Sequence, residues 1–339
     1  MRQEQAPHEW VTTGDDRRLA VDVAGAPDGS PVFLLHGTPG SRKGPRPRGI
    51  VLHRLGVRLV SYDRPGYGDS DRMEGRSIAD AAADVAAIAD HLGIERFAIV
   101  GRSGGGPHAL ACAALLGRRV TRAAVLVSLA PSDASDLNWF DGMDAGNVTE
   151  YSTADADHGA LLESLTTWAD RTQEDPRDFF GLLEPALTAP DRRVVQDVAL
   201  RRLLMSTYAE ALHKGPAGWI DDVLALRRKW QFDLSEITAE TRLWHGADDT
   251  FSPASHTRWL AERIPCAEVE IERGIGHFGA VEVLPRMLRW LTQYAEALTP
   301  AMVRPQFPRA AVPSGTGWEL RKDRAGRSVD RPVDRHAAL

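Results

Sequence analysis

Three observations predict an α/β fold built on a mostly parallel, twisted sheet flanked by helices. Short, largely apolar runs at 31–35, 57–62, 97–100 and 122–128 have the length and composition of strands buried on both faces. Helical stretches with short connections lie between them, the alternation that generates βαβ units and parallel pairing. Each run also ends in a loop dense in Gly, Pro, Asp or Ser. Those loops therefore collect at the carboxyl edge of the sheet, where folds of this class build their sites.

Taken in order, 8–13 and 17–24 alternate in polarity around Gly14-Asp15-Asp16 and read as an antiparallel hairpin. The buried strand at 31–35 leads into His36-Gly37-Thr38-Pro39-Gly40-Ser41, where Thr38 keeps an N–H that Pro39 lacks. Pro45 and Pro47 restrict any helix in 44–55 to its second half. The strand at 57–62 is followed by a turn-dense structural loop, Asp63 to Ser70. Ser77, with Asp80 three residues on, reads as a capping box opening a helix whose stripe is Ile78, Val85, Ile88 and Leu92, closed by Gly93.

The stretch 97–116, FAIVGRSGGGPHALACAALL, passes from a strand through Gly101-Arg102-Ser103-Gly104-Gly105-Gly106 into a helix. A strand that reverses into a helix within a few residues strains its corner, and glycines on either side remove the Cβ atoms that would collide there. The corner residue is Ser103, with the amides that follow it at the positive end of the helix. Cys112 and His108 lie on that helix, Cys112 as packing and His108 on its surface, with a position facing the pocket as the alternative.

After Pro131 the pattern changes. From there to about 233 no buried strand is visible, only helical stretches broken by Pro176, Pro185, Pro190 and Pro216, the clearest at 193–214. The strand pattern resumes at 241–245, followed by Gly246-Ala247-Asp248-Asp249-Thr250-Phe251-Ser252-Pro253 and a helix to about 264. The last strand is 267–272, then Gly274-Ile275-Gly276-His277-Phe278-Gly279 and a helix at 281–298. The expected organisation is a sheet domain in two parts, 1–130 and 236–298, a helical cap inserted at 131–235, and a tail at 299–339 whose low hydrophobicity and absent period predict disorder.

Of the 339 residues 43% are hydrophobic, enough for a substantial core, and the net charge of −6 offers no general attraction to nucleic acid or anionic membrane. Two cysteines make no disulfide framework, no basic and apolar leader is visible, and no apolar run approaches the ~18 residues of a membrane span. These features predict a cytoplasmic protein without nucleic-acid or membrane partners, and the helical insert over the strand ends points to a small-molecule substrate. A homodimer is compatible with the chain and not required by it.

A serine becomes a nucleophile when a base takes its proton, and the base must be oriented by a third group. The chain offers Ser103, then Asp248 or Asp249, then His277, each directly after an expected strand. In that order, and with HGTPG, DRPGYGDSD, GRSGGG, GADDTFSP and GIGH at matching places, the chain resembles the α/β-hydrolase superfamily over roughly 8–130 and 235–298. The resemblance implies Ser103 as nucleophile, His277 as general base and acid, and Asp249 as the acid by the G-x-x-D-x-x-x-P spacing, with Asp248 the alternative. It also implies an oxyanion hole from the backbone N–H groups of Thr38 and Gly104, and no metal or organic cofactor. His245, Asp249, His256 and His277 show none of the short spacings of a metal site. Arg102 departs from the His, Trp or Gln often found before such a serine.

These features imply hydrolysis of an ester-type bond (carboxylic ester, lactone or thioester) of a small to medium apolar substrate through an acyl-serine, in the manner of a carboxylesterase. Haloperoxidases without cofactor, carbon–carbon bond hydrolases and aminopeptidases share this apparatus, and a non-catalytic ligand-binding relative would be expected to lose one of its members. His36, Arg102, Trp139, Phe140, Trp168, Tyr208 and Phe278 are the expected pocket residues, with Phe179 and Trp219 further aromatics that could line an acyl site.

Overall fold

A computed structural model of the chain describes residues 9–298. The expected tail at 299–339, like His8 of the hairpin, lies outside the described residues. Eight strands form one sheet in the order β1-β2-β4-β3-β5-β6-β7-β8. β1 (Glu9–Thr12) and β2 (Arg18–Gly25) are the expected hairpin, and β2 also runs antiparallel to β4 (Val57–Tyr62). From β4 onward, β3 (Ser30–Leu35), β5 (Phe97–Arg102), β6 (Val120–Leu126), β7 (Glu240–Gly246) and β8 (Ala267–Glu272) pair in parallel.

Burial on both faces is visible residue by residue. Val32 and Leu34 of β3, with Ala98 and Val100 of β5, face one apolar cluster, which α1 (Gly49–Arg54) and α11 (Gly279–Leu298) cover through Leu52, Val283, Met287 and Leu288. Phe33, Leu35, Phe97 and Ile99 face the other, covered by α2 (Ala81–His91) and α3 (Gly105–Leu115). Alternate side chains thus go to opposite layers, so strands buried on both sides read as unbroken apolar runs.

Residues 131–235 carry α4 (Ala145–Ala156), α5 (His158–Glu174), α6 (Asp178–Leu183), α7 (Ala189–Val195), α8 (Val198–Leu212) and α9 (Ala217–Leu226), with no strand among them. Leu161, Leu165, Phe179, Leu204 and Trp219 of these helices join the same apolar cluster as the α2–α3 face of the sheet.

Two helix boundaries differ from expectation. The stretch expected as one helix at 193–214 is broken, because Asp197 is extended and its carboxylate accepts from the Leu200 N–H, capping α8 as a new helix. Ser77 does not open α2, which begins at Ala81. The Asp80 carboxylate still accepts from the Ser77 N–H (2.7 Å) and hydroxyl (2.8 Å), so the acid half of the capping arrangement closes a turn ahead of the helix.

Candidate active site

Ser103 sits at the corner between β5 and α3 with φ of 53°, a left-handed conformation uncommon for a residue with a side chain. Its N–H donates to the Leu126 carbonyl and its own carbonyl accepts from Gly106, both at 2.8 Å. The neighbouring glycines are set by contact. A Cβ on Gly101 would lie 2.2 Å from the Gly105 carbonyl oxygen, and one on Gly104 would lie 2.2 Å from Thr38 Oγ1 and 3.3 Å from Thr38 N. Gly104 therefore lies hard against Thr38, next to Ser103.

His277, in the loop after β8, brings Nδ1 to 2.7 Å from Asp249 Oδ2. Asp249 follows β7 and has a fully buried side chain, whereas Asp248 is exposed. Asp249 Oδ1 accepts from the N–H groups of Phe251 (2.8 Å) and Ser252 (3.1 Å), and His245 Nε2 stands 3.2 Å from Oδ2. Burial alone would raise this carboxyl's pKa. The charge of His277 and the hydrogen bonds from His245 and His277 outweigh it and hold the group well below the usual carboxylate range. Asp249 is therefore a carboxylate wherever the protein is folded at ordinary pH. Ser103 Oγ and His277 Nε2 carry no hydrogen bond among the described residues, and both side chains line one cavity.

The helices of 131–235 are tied to these loops. Asp191 of α7 is buried and accepts from the Phe278 N–H at 2.8 Å, and a Cβ on Gly276 would strike its carboxylate at 2.3 Å. Asn147 Nδ2 donates to the Phe251 carbonyl at 2.9 Å.

A buried ionic cluster stands behind Thr38 and Gly104. Asp222 of α9 is fully buried and accepts from Arg64, from Arg76 Nη2 (2.5 Å), from the Tyr67 hydroxyl (2.9 Å) and from the Thr38 hydroxyl (2.6 Å). Arg64 also donates to the carbonyls of His36 and Gly37, so those peptides are pinned by their oxygens. His108 Nδ1 lies 2.8 Å from the Gly104 carbonyl and Nε2 lies 3.6 Å from Asp222 Oδ1. Asp222 thus holds the Thr38 side chain directly, and the Gly104 carbonyl is held by His108, whose Nε2 accepts from Arg76 Nη1 (3.4 Å), itself bound to Asp222. His108 is therefore a buried network residue and not the surface residue expected, and burial, reinforced by the charge of Arg64, pulls its pKa down to about 3.

The cavity has an empty volume of about 970 Å³ including its open mouth. Of the expected pocket residues, Arg102, Tyr208 and Phe278 line it, as do Phe179 and Trp219. His36, Trp139, Phe140 and Trp168 do not. His36 is turned into the network, its Nδ1 2.8 Å from the Gly37 carbonyl and its Nε2 accepting from the Arg64 N–H. Trp139 donates to the Ala130 carbonyl and packs edge-on to Phe140, Tyr151 and His256, and Trp168 stacks with Arg171. His256 spends both ring nitrogens on the Ala130 N–H and the Trp139 carbonyl, which removes it from the set of four weighed as metal ligands. The reading by aromatic content missed the polar lining, Asp144, Asn147 and Glu150, which no motif marks.

A serine in a strained turn and an imidazole held by an ionised buried carboxylate line one cavity, an arrangement chemically suited to nucleophilic acyl transfer. Among the described residues no helix is long and apolar enough to cross a membrane. The chain is 26% identical over 284 residues to the 2-hydroxymuconate semialdehyde hydrolase of Pseudomonas putida, covering 80% of this chain and 89% of that one. It is 25% identical over 279 residues to the non-heme haloperoxidase of Rhodococcus erythropolis, covering 79% and 92%. The crystal structure of the enol-lactonase from Burkholderia xenovorans LB400 superposes with a TM-score of 0.61 at 17% identity, covering 85% of this chain and all of that one. Residues 30–283 match the family described as the alpha/beta hydrolase fold, and the chain belongs to that family of hydrolases.

Proposed function

We propose that the protein hydrolyses an ester-type bond, a carboxylic ester, lactone or thioester, of a small to medium substrate with an apolar acyl or alkyl part, through an acyl-serine intermediate. Ser103 Oγ attacks the carbonyl carbon while His277 Nε2 takes its proton. Asp249 holds Nδ1–H and stabilises the imidazolium, and the N–H groups of Thr38 and Gly104 take up the charge on the carbonyl oxygen. His277 then returns the proton to the departing alcohol or thiol. Water, deprotonated by the same imidazole, attacks the acyl carbon and frees Ser103. Helices α4–α9 serve as a cap over the strand ends and confine the substrate to compact ligands.

The observation that carries this reading is the 2.7 Å contact of His277 Nδ1 with a buried Asp249, in a cavity shared with a left-handed Ser103. The names of the two relatives divide between a hydrolase and a haloperoxidase, so the preference for esters rests on the site. Treatment with a fluorophosphonate followed by peptide mass mapping tests it. One adduct is expected, on Ser103, absent from Ser103→Ala. Labelling at another residue, or none on the folded protein, would overturn the proposal.

A further inference from the structure

Charge bookkeeping among the arginines that face the interior or the cavity singles out one. Arg42, Arg64 and Arg76 are each almost fully buried and each has a carboxylate within ion-pair distance, Asp63 for the first and Asp222 for the other two. Arg17 is likewise held by the buried Asp84. Arg102, the residue before Ser103, is partly exposed and lines the cavity, yet it has no ion pair and no hydrogen bond among the described residues. Its cavity neighbour is Tyr208, a neutral phenol at physiological pH whose own pKa burial pushes up to about 12. Burial lowers the Arg102 pKa to about 10, so the group remains a cation at neutral pH.

A guanidinium partly withdrawn from water without a counter-charge carries a desolvation cost, and that cost falls when an anion enters. Its planar fork of N–H donors matches a carboxylate in two parallel hydrogen bonds. The carboxylates that border the cavity, Asp144 and Glu150, make no ion pair with Arg102. Asp144 disfavours an anion on its side of the wall, which leaves Arg102 as the place where one is held.

We infer that Arg102 is a specificity-determining residue that receives a free carboxylate on the substrate, so that the preferred ester or lactone is anionic, with its carboxylate separate from the bond that is cleaved. This rests on the proposed ester hydrolysis. The product of acyl transfer would then carry two carboxylates when the free one is on the acyl side, and the preceding reaction must supply a substrate already ionised at a second carbon.

Two measurements test it. The first compares kcat/KM for mono(4-nitrophenyl) adipate and for 4-nitrophenyl heptanoate in wild type, Arg102→Gln and Arg102→Lys, with circular dichroism to check folding. The ratio of hemiester to neutral ester is expected to fall roughly tenfold or more in the Gln variant, the range of a charge-assisted hydrogen bond, and to be retained in large part by Lys. An unchanged ratio, or a wild-type preference for heptanoate, would overturn the inference. The second measures binding of hexanoate and hexanamide to Ser103→Ala by calorimetry. Hexanoate is expected to bind roughly tenfold more tightly, and the difference should vanish when Arg102→Gln is added. Equal binding, or a difference that survives the second substitution, would overturn it. Failure to cleave either ester, with the hexanoate preference intact, would sink the ester reading and leave the anion site standing.

Discussion

Asp222→Asn removes the charge at the centre of the buried cluster and little else, because the amide has almost the shape of the carboxylate. In the native protein Asp222 accepts from Arg64, Arg76, Tyr67 and Thr38 with no exposure to water. The substitution leaves two buried guanidinium groups without a counter-charge, and breaking a buried pair of this kind costs about 3–5 kcal/mol. For a body of this size each kcal/mol moves Tm by roughly 2–4 °C, so a fall on the order of 10 °C is expected. The amide also offers N–H groups toward the arginines and a weaker acceptor to the Thr38 hydroxyl. The Thr38 side chain is then held less firmly, and with it the peptide that bears its N–H. A whole oxyanion donor is worth about 2.7–4 kcal/mol of barrier, and partial displacement of one should lower kcat roughly tenfold. Differential scanning fluorimetry and ester hydrolysis measured well below the lowered Tm read the two effects separately. Thr38→Val, which keeps the N–H and deletes the hydroxyl's bonds to Asp222 (2.6 Å) and from Arg64 (3.2 Å), should reproduce part of the loss in kcat with a smaller fall in Tm. A Tm within about 2 °C of wild type for Asp222→Asn would refute the reasoning.

Other substitutions have equally definite outcomes. Asp249→Asn should lower kcat by about four orders of magnitude, because the amide stabilises the wrong imidazole tautomer, while the exposed Asp248→Asn should be mild; the reverse severity would transfer the role to Asp248. Gly104→Ala places a Cβ 2.2 Å from Thr38 Oγ1, so kcat should fall at least as far as in Asp222→Asn while stability drops by about 1–3 kcal/mol, and full activity would show that the two N–H groups are not held together. Burial raises the Glu150 pKa from 4.5 to about 7, so the folded chain binds this proton more tightly than the unfolded one. Stability should therefore fall as pH rises from 4.5 to about 7, and the loss should persist above that. Glu150→Gln should match the wild-type Tm at pH 4.5 and exceed it at pH 8, and equal Tm values at both would contradict the shift.

The strands and loops of the sheet were legible because each carries a local signal. Residues 57–62 and 267–272 are strands over the expected spans, since their pattern is set by burial against both layers or by the sheet edge. Ser103, Asp249 and His277 could be singled out because each follows a strand within a few residues, where geometry is local. What the sequence hid is long-range. Asp222 lies 158 residues from Arg64 and 184 from Thr38, and nothing in α9 distinguishes it from the adjacent Asp221, which pairs with the half-exposed Arg72. Asp191, which holds the backbone next to His277, sits in a short helix where it reads as an ordinary first-turn acid. The burial of His108 leaves no mark in the sequence, because its helix is apolar on nearly every side and no polar face shows where a buried histidine points. Trp139 and Trp168 were expected in the pocket for their size, yet one is drawn to a backbone carbonyl and the other to an arginine, partners that composition does not reveal.

The proposed acyl-serine has a direct test in product partitioning. When hexanoate esters of 4-nitrophenol, phenol and ethanol are hydrolysed in dilute methanol, a common intermediate on Ser103 must divide between water and methanol without memory of the group that has left. The ratio of methyl hexanoate to hexanoate should then be the same for all three, and Ser103→Ala should form neither product above background. A ratio that changes with the leaving group, or activity that survives in Ser103→Ala, would contradict the account.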